Sequence, residues 1–138
     1  AWAYRNLAMI FQNDKQDPST AVSLILKAQS LAPDDRGLLV NCAQILTAAE
    51  KYETWLELFD TLQPHQKADS RLLFYRALAF IRTGRADLAA QIITPDFVLC
   101  DIKEGEASLS HLWFEMYRQL TGEENHPLPY SLDFRMHE

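Results

Sequence analysis

A set of residues recurs along this chain about every 34 positions. Tyr4, Leu7, Ala8 and Phe11 return as Leu39, Cys42, Ala43 and Leu46, and again as Leu73, Arg76, Ala77 and Phe80. A trailing set follows each of these: Ala21, Ile25 and Ala28, then Trp55, Phe59 and Leu62, then Ala89 and Ile93. The first step is 35 residues for the leading set, and every other step is 34. Repetition at this period predicts stacked helical hairpins, none of which can bury its apolar face alone. Arrays of that kind bind things, so the spacing speaks to function only as a class.

Composition agrees. The 138 residues suit one domain with a continuous core. At 48% apolar residues the chain is too hydrophobic to remain disordered, and four glycines and six prolines leave long stretches free to be helical. No run approaches the roughly 18 apolar residues of a membrane-spanning helix, and no signal segment opens the chain. The sequence begins at Ala1 directly inside a helical pattern, which predicts a piece of something longer. A net charge of −6 and a pI near 5.1 count against nucleic acid as a partner, because phosphate binding needs a basic stripe. Two cysteines, Cys42 and Cys100, make neither a metal pair nor a disulfide framework, and a reducing, cytoplasmic setting is the simpler expectation.

Apolar residues at i, i+3, i+4 and i+7 predict a first helix over about Trp2 to Gln12. Ser19 or Thr20 is expected to cap a second that runs to about Leu31, before Pro33. Asp34-Asp35 should cap a third, about Gly37 to Thr47, and a fourth should run from about Tyr52 to Leu62 and stop at Pro64. His65 to Asp69 reads as a polar link, with Asp69 or Ser70 capping a fifth helix that ends near Gly84. A sixth, about Ala86 to Ile93, is cut short by Pro95, and no segment alternates well enough to be a core strand.

The residues Tyr4, Leu7, Ala8, Phe11, Ala21, Ile25, Ala28 and Pro33 together resemble a tetratricopeptide repeat (TPR). In that motif a small residue lets the paired helices approach, large residues fill the space beside it, and proline ends the unit. The second copy departs from it, with Trp55 and Leu62 at alanine places, and the third has Arg76 at an apolar place and lacks its closing half. The resemblance covers residues 1 to 94. It implies an all-α, TPR-like right-handed α-solenoid of about three helical hairpins.

Residues 95 to 138 are expected to pack on the last repeat. Pro95 to Ile102 is too apolar for a free linker and reads as an extended segment. Leu109, Leu112, Trp113, Met116, Tyr117 and Leu120 then fall on one helix stripe that Gly122 terminates, the cap a solenoid end requires. The tail from Pro127 to Met136 carries apolar residues on a proline-stiffened stretch that can fold back on this cap. The block from Asp101 to Phe114, with Leu132 to Met136, resembles the C-terminal end of large bacterial proteins. These join a DUF5107 domain, regarded as β-rich and carbohydrate-related, to a long TPR-like region. That resemblance implies an accessory helical module of a carbohydrate-active protein whose β-rich domain is absent here, the alternative to a scaffolding role.

No constellation of residues presses for catalysis. Asp101, Glu104 and Glu106 lack the loop spacing of an EF-hand and read more plainly as negative charge near the start of the cap helix. His65, His111, His126 and His137 fall at no ligand spacing, so neither a metal nor a cofactor is expected. Cys42 on an apolar face reads as core rather than nucleophile. Trp55 and Trp113 read as core rather than as sugar platforms, whereas Trp2 should pack against a helix that precedes it. Trp2 and Tyr4 thus offer a raw face for self-association.

In tetratricopeptide arrays the first helix of each hairpin lines the concave face. Carried over residue by residue, that face would present Arg5, Met9, Gln12, Asn13, Asn41, Gln44, Thr47, Arg71, Tyr75 and Arg82. Arg5, Asn41 and Arg71 fall where arrays that clamp a peptide carboxylate place basic and amide residues, whereas Met9 and Tyr75 depart from that set. The expected function is protein interaction or scaffolding, with a protein, a peptide or another domain of the same chain as partner, and without enzyme activity.

Overall fold

The computed structural model describes residues 1–102, 106–123 and 126–135. These residues are all-α, with eight helices, one 3-10 turn and no strand among them. The chain divides into two compact units, Ala1–Lys67 and Ala68–Glu138.

The first unit holds α1 (Trp2–Asn13), α2 (Pro18–Leu31), α3 (Arg36–Ala48), α4 (Tyr52–Asp60) and a single turn, α5 (Pro64–Lys67). Helix α1 packs on α2, α2 on α3, and α3 on α4. The starts of α2 and α3 are set by carboxylates. Asp17 accepts hydrogen bonds from the Thr20 amide at 3.2 Å and its hydroxyl at 2.7 Å, which lowers the Asp17 pKa. The cap therefore lies before Ser19 and Thr20, because Pro18 supplies a first helical residue that needs no N–H. Asp35 caps α3 by accepting from the Leu38 amide at 3.1 Å.

The small residues of the repeat lie where helices meet. Ala8, Ala21, Ile25, Ala28, Leu38, Cys42 and Ile45 form one buried cluster, with Met9 and Phe11 packed against it. The Cys42 thiol comes within 3.6 Å of the Ile25 carbonyl. Its burial pushes the pKa up to about 12, as suits a small core hydrophobe. Leu39, Ala43 and Leu46 on α3 are also buried, as are Trp55 and Phe59 on α4, whose rings meet edge-on at 6.0 Å.

The expected polar link after α4 is structured. Helix α4 ends at Asp60, before proline is reached, and Pro64 instead opens the α5 turn. Gln66 on that turn is buried and donates to the Pro33 carbonyl at 2.9 Å, while its own amide oxygen accepts from the Gln63 N–H at 2.9 Å. A polar stretch is helical here because one buried amide satisfies two backbone groups that helix ends leave open.

The second unit holds α6 (Ser70–Arg82), α7 (Ala86–Ile92), α8 (Ser108–Thr121) and a 3-10 turn at Tyr130–Leu132. Asp69 caps α6 through the Arg71 and Leu72 amides. Ser70, the other candidate cap, instead accepts a hydrogen bond from the Cys100 amide at 2.9 Å. Helix α8 packs on both α6 and α7, burying Leu109, Leu112, Trp113 and Met116, and ends on Gly122 at φ 78°. Leu120, expected on the same stripe, is exposed, because α8 has passed the end of its supports there.

The run from Pro95 to Ile102 forms no strand. Turns at Pro95–Asp96 and Cys100–Asp101 bracket an irregular stretch in which Leu99 is buried and Val98 is 76% exposed. The tail returns to α8: the Trp113 indole N–H donates to the Pro127 carbonyl at 3.1 Å, and Leu132 is fully buried. Ser131 Oγ donates to the Pro95 carbonyl at 2.8 Å.

No helix among the described residues is long and apolar enough to cross a membrane.

Candidate partner-binding surfaces

The residues expected to face a partner divide between the two units. On α1 and α3, three of them form a chain of hydrogen bonds: Arg5 Nε donates to Asn41 Oδ1 at 3.0 Å, and Asn41 Nδ2 donates to Gln44 Oε1 at 3.4 Å. The Arg5 guanidinium also lies 5.5 Å from the centre of the Trp2 ring. One turn apart on each helix, these side chains meet because α1 and α3 both pack on α2. Met9 is half-buried against the core cluster and acts as packing. Asn13 is exposed, and Gln12 borders a cavity of about 200 Å³ floored by Ala21, Ile45 and Ala48. The Thr47 hydroxyl is buried with no hydrogen-bond partner among the described residues.

Arg71, Tyr75 and Arg82 lie on α6, and two of them already hold carboxylates of their own unit. Arg71 Nε donates to Asp101 at 2.7 Å and Nη2 to Glu106 at 3.4 Å, leaving its side chain 11% exposed. Burial alone would lower its pKa, but the hydrogen bond and charge of Asp101, joined by Glu106, outweigh it and hold it above the ordinary arginine value. An incoming carboxylate would have to displace both partners. The acidic residues thus serve to tie the 95–106 loop to α6. Glu106 also accepts from the Ser108 hydroxyl at 2.7 Å, whereas Glu104 lies outside the described residues.

Arg82 donates to Glu115 on α8 at 2.6 Å. Between this pair and the start of α8 lies an open groove of about 300 Å³. Phe74, Tyr75, Leu78 and Leu112 give it an apolar floor, and Ser108, His111, Arg82 and Glu115 its polar rim. Tyr75 stands edge-on to Phe74 at 5.4 Å. Ser108, His111, Leu112 and Glu115 follow the i, i+3, i+4, i+7 pattern, a second stripe on α8 beside the buried one. That pattern was legible in the sequence, but the apolar stripe of Leu109, Trp113 and Met116 dominates it.

Among the described residues no three His, Cys, Asp or Glu side chains converge as metal ligands. His65 and His111 are exposed, and His137 lies outside the described residues. His126 stacks on Tyr117, with centroids 4.1 Å apart, and its Nδ1 lies 3.1 Å from Glu123.

No family model matches this sequence, and neither curated proteins nor solved structures provide a match.

Proposed function

We propose that this chain is a protein-interaction module. It is a TPR-like right-handed solenoid of three hairpins closed by α8, working in the cytoplasm on a peptide or a neighbouring domain and without catalysis of its own. The groove between α6 and α8 is the observation that carries the reading. Its floor is apolar and half-open, so a large side chain of a partner would leave water there. Arg82 and Glu115 at its rim supply a donor and an acceptor for the partner's backbone or polar side chains. Tyr75 and Arg82 are of the residue types that most often anchor interfaces. With Arg71 engaged by Asp101 and Glu106, an apolar anchor fits this surface better than a terminal carboxylate does.

Panning a displayed random-peptide library against the full chain tests this, with Tyr75→Ala and Arg82→Ala in parallel. The expected result is enrichment of peptides that share one large apolar residue and bind the Tyr75→Ala chain much more weakly. Peptides indifferent to both substitutions, or no enrichment at all, would reject the reading. Saturable binding of soluble oligosaccharides would instead support the role of accessory module in a carbohydrate-active protein.

A further inference from the structure

Helix α1 is apolar on two sides. Ala8 faces inward and is fully buried, whereas Trp2 is 63%, Leu7 44% and Ile10 41% exposed on the outer side. Ala3, Leu7 and Ile10 follow at i, i+4 and i+7, so they share one face, and no ionisable side chain lies among Trp2, Ala3, Asn6, Leu7, Ile10 and Asn13. A helix that is apolar all round belongs in an interior.

The first unit shows what covers such a face. Leu38, Cys42 and Ile45 on α3 stand 35 residues after Ala3, Leu7 and Ile10 and are buried in one cluster with Ala21, Ile25 and Ala28 of α2. The outer face of α1 therefore repeats the face by which α3 receives α2. We propose that it is a docking site for a separate helix bearing an α2-like stripe of small and aliphatic residues, the second helix of a like hairpin on another polypeptide. A second copy of this chain cannot supply that stripe, because its own Ala21, Ile25 and Ala28 have no exposed surface. Size sets a further condition. Cys42 already reaches within 3.6 Å of the Ile25 carbonyl, and the larger Leu7 takes its place on α1. The docked helix must then be smaller where α2 carries Ile25. This surface is separate from the α6–α8 groove, and the proposal stands or falls independently of it.

The probe is a synthetic peptide of residues 17–33, which contains no tryptophan, prepared with the native sequence and with Ile25→Ala. Each is titrated into the full chain while acrylamide quenching of tryptophan fluorescence is read. Trp55 and Trp113 are buried, so the quenchable signal comes from Trp2. The expected result is saturable protection of Trp2, at lower concentration with the Ile25→Ala peptide, and abolished in Leu7→Asp and Ile10→Asp chains that still melt cooperatively. Protection that survives both substitutions would mean that the peptide exchanges with α2 instead, and would overturn the proposal. So would no protection by either peptide. Protection that appears without peptide as the chain is concentrated, together with a dimer in sedimentation, would assign the face to a second copy and overturn it equally.

Discussion

Glu50 adopts the left-handed backbone conformation, φ 58°, that Gly84 adopts 34 residues later at φ 78°. Each lies in the turn between paired helices, and each is followed by a closing hydrogen bond: Lys51 N–H to Leu46 C=O at 2.8 Å, and Arg85 N–H to Phe80 C=O at 2.7 Å. Gln16, a further 34 residues upstream, holds φ 49°. The repeat thus extends to backbone conformation at positions where side-chain identity does not reveal it.

Only glycine adopts this conformation without steric cost, so Glu50→Gly should raise stability by about 1 kcal/mol. A Cβ at Gly84 would meet nothing within 4 Å, so Gly84→Ala should lower stability by a similar amount through the backbone alone. Chemical denaturation of both variants tests the pair. Opposite signs are expected, and equal signs would show that the two turns are not equivalent.

Ala43 is fully buried on α3, where the paired helix must come close. Ala43→Leu should destabilise the chain by about 1–3 kcal/mol through overpacking. A variant that melts with the parent would place the closest approach elsewhere.

The two cysteines should separate sharply in reactivity. Cys100 is exposed, whereas Cys42 is buried with its thiol raised to about 12. Iodoacetamide at pH 8 should label Cys100 in the folded chain and reach Cys42 only on unfolding. Because the folded pKa of Cys42 lies above its unfolded value of 9.0, only the unfolded state gains a thiolate as pH rises past 9. Stability should therefore fall between pH 9 and 12, and the Cys42→Ala chain should lose that part of the slope.

Trp113 buries its ring on α8 and ties the tail through its indole N–H to Pro127. Trp113→Ala should cost about 3–5 kcal/mol. A chain ending at Glu106 would leave the surfaces of α6 and α7 that α8 covers in water, and it should aggregate or melt early, as sedimentation and calorimetry would show. Trimming the last three residues should leave the melting temperature unchanged.

The helices were legible because their apolar residues recur at the helical period and Asp35 and Asp69 stand where helix amides need acceptors. The same local logic marked Ala8, Ala43 and Cys42 as core and Gly122 as the end of α8. These features depend on residues within a turn or two of one another, and sequence order suffices to express them. What the tertiary structure decided depends on residues brought together from afar. Gln66 reaches back 33 residues to Pro33, and Arg71 reaches 30 and 35 residues ahead to Asp101 and Glu106. Arg82 meets Glu115 across 33. Whether a polar side chain faces a partner or is held by its own fold turns on which opposite group lies within about 3 Å of it, and hydrogen-bond energy falls too steeply with distance for periodicity to settle that. So the sequence placed Arg71 on the right helix, and only packing showed that its charge was already engaged.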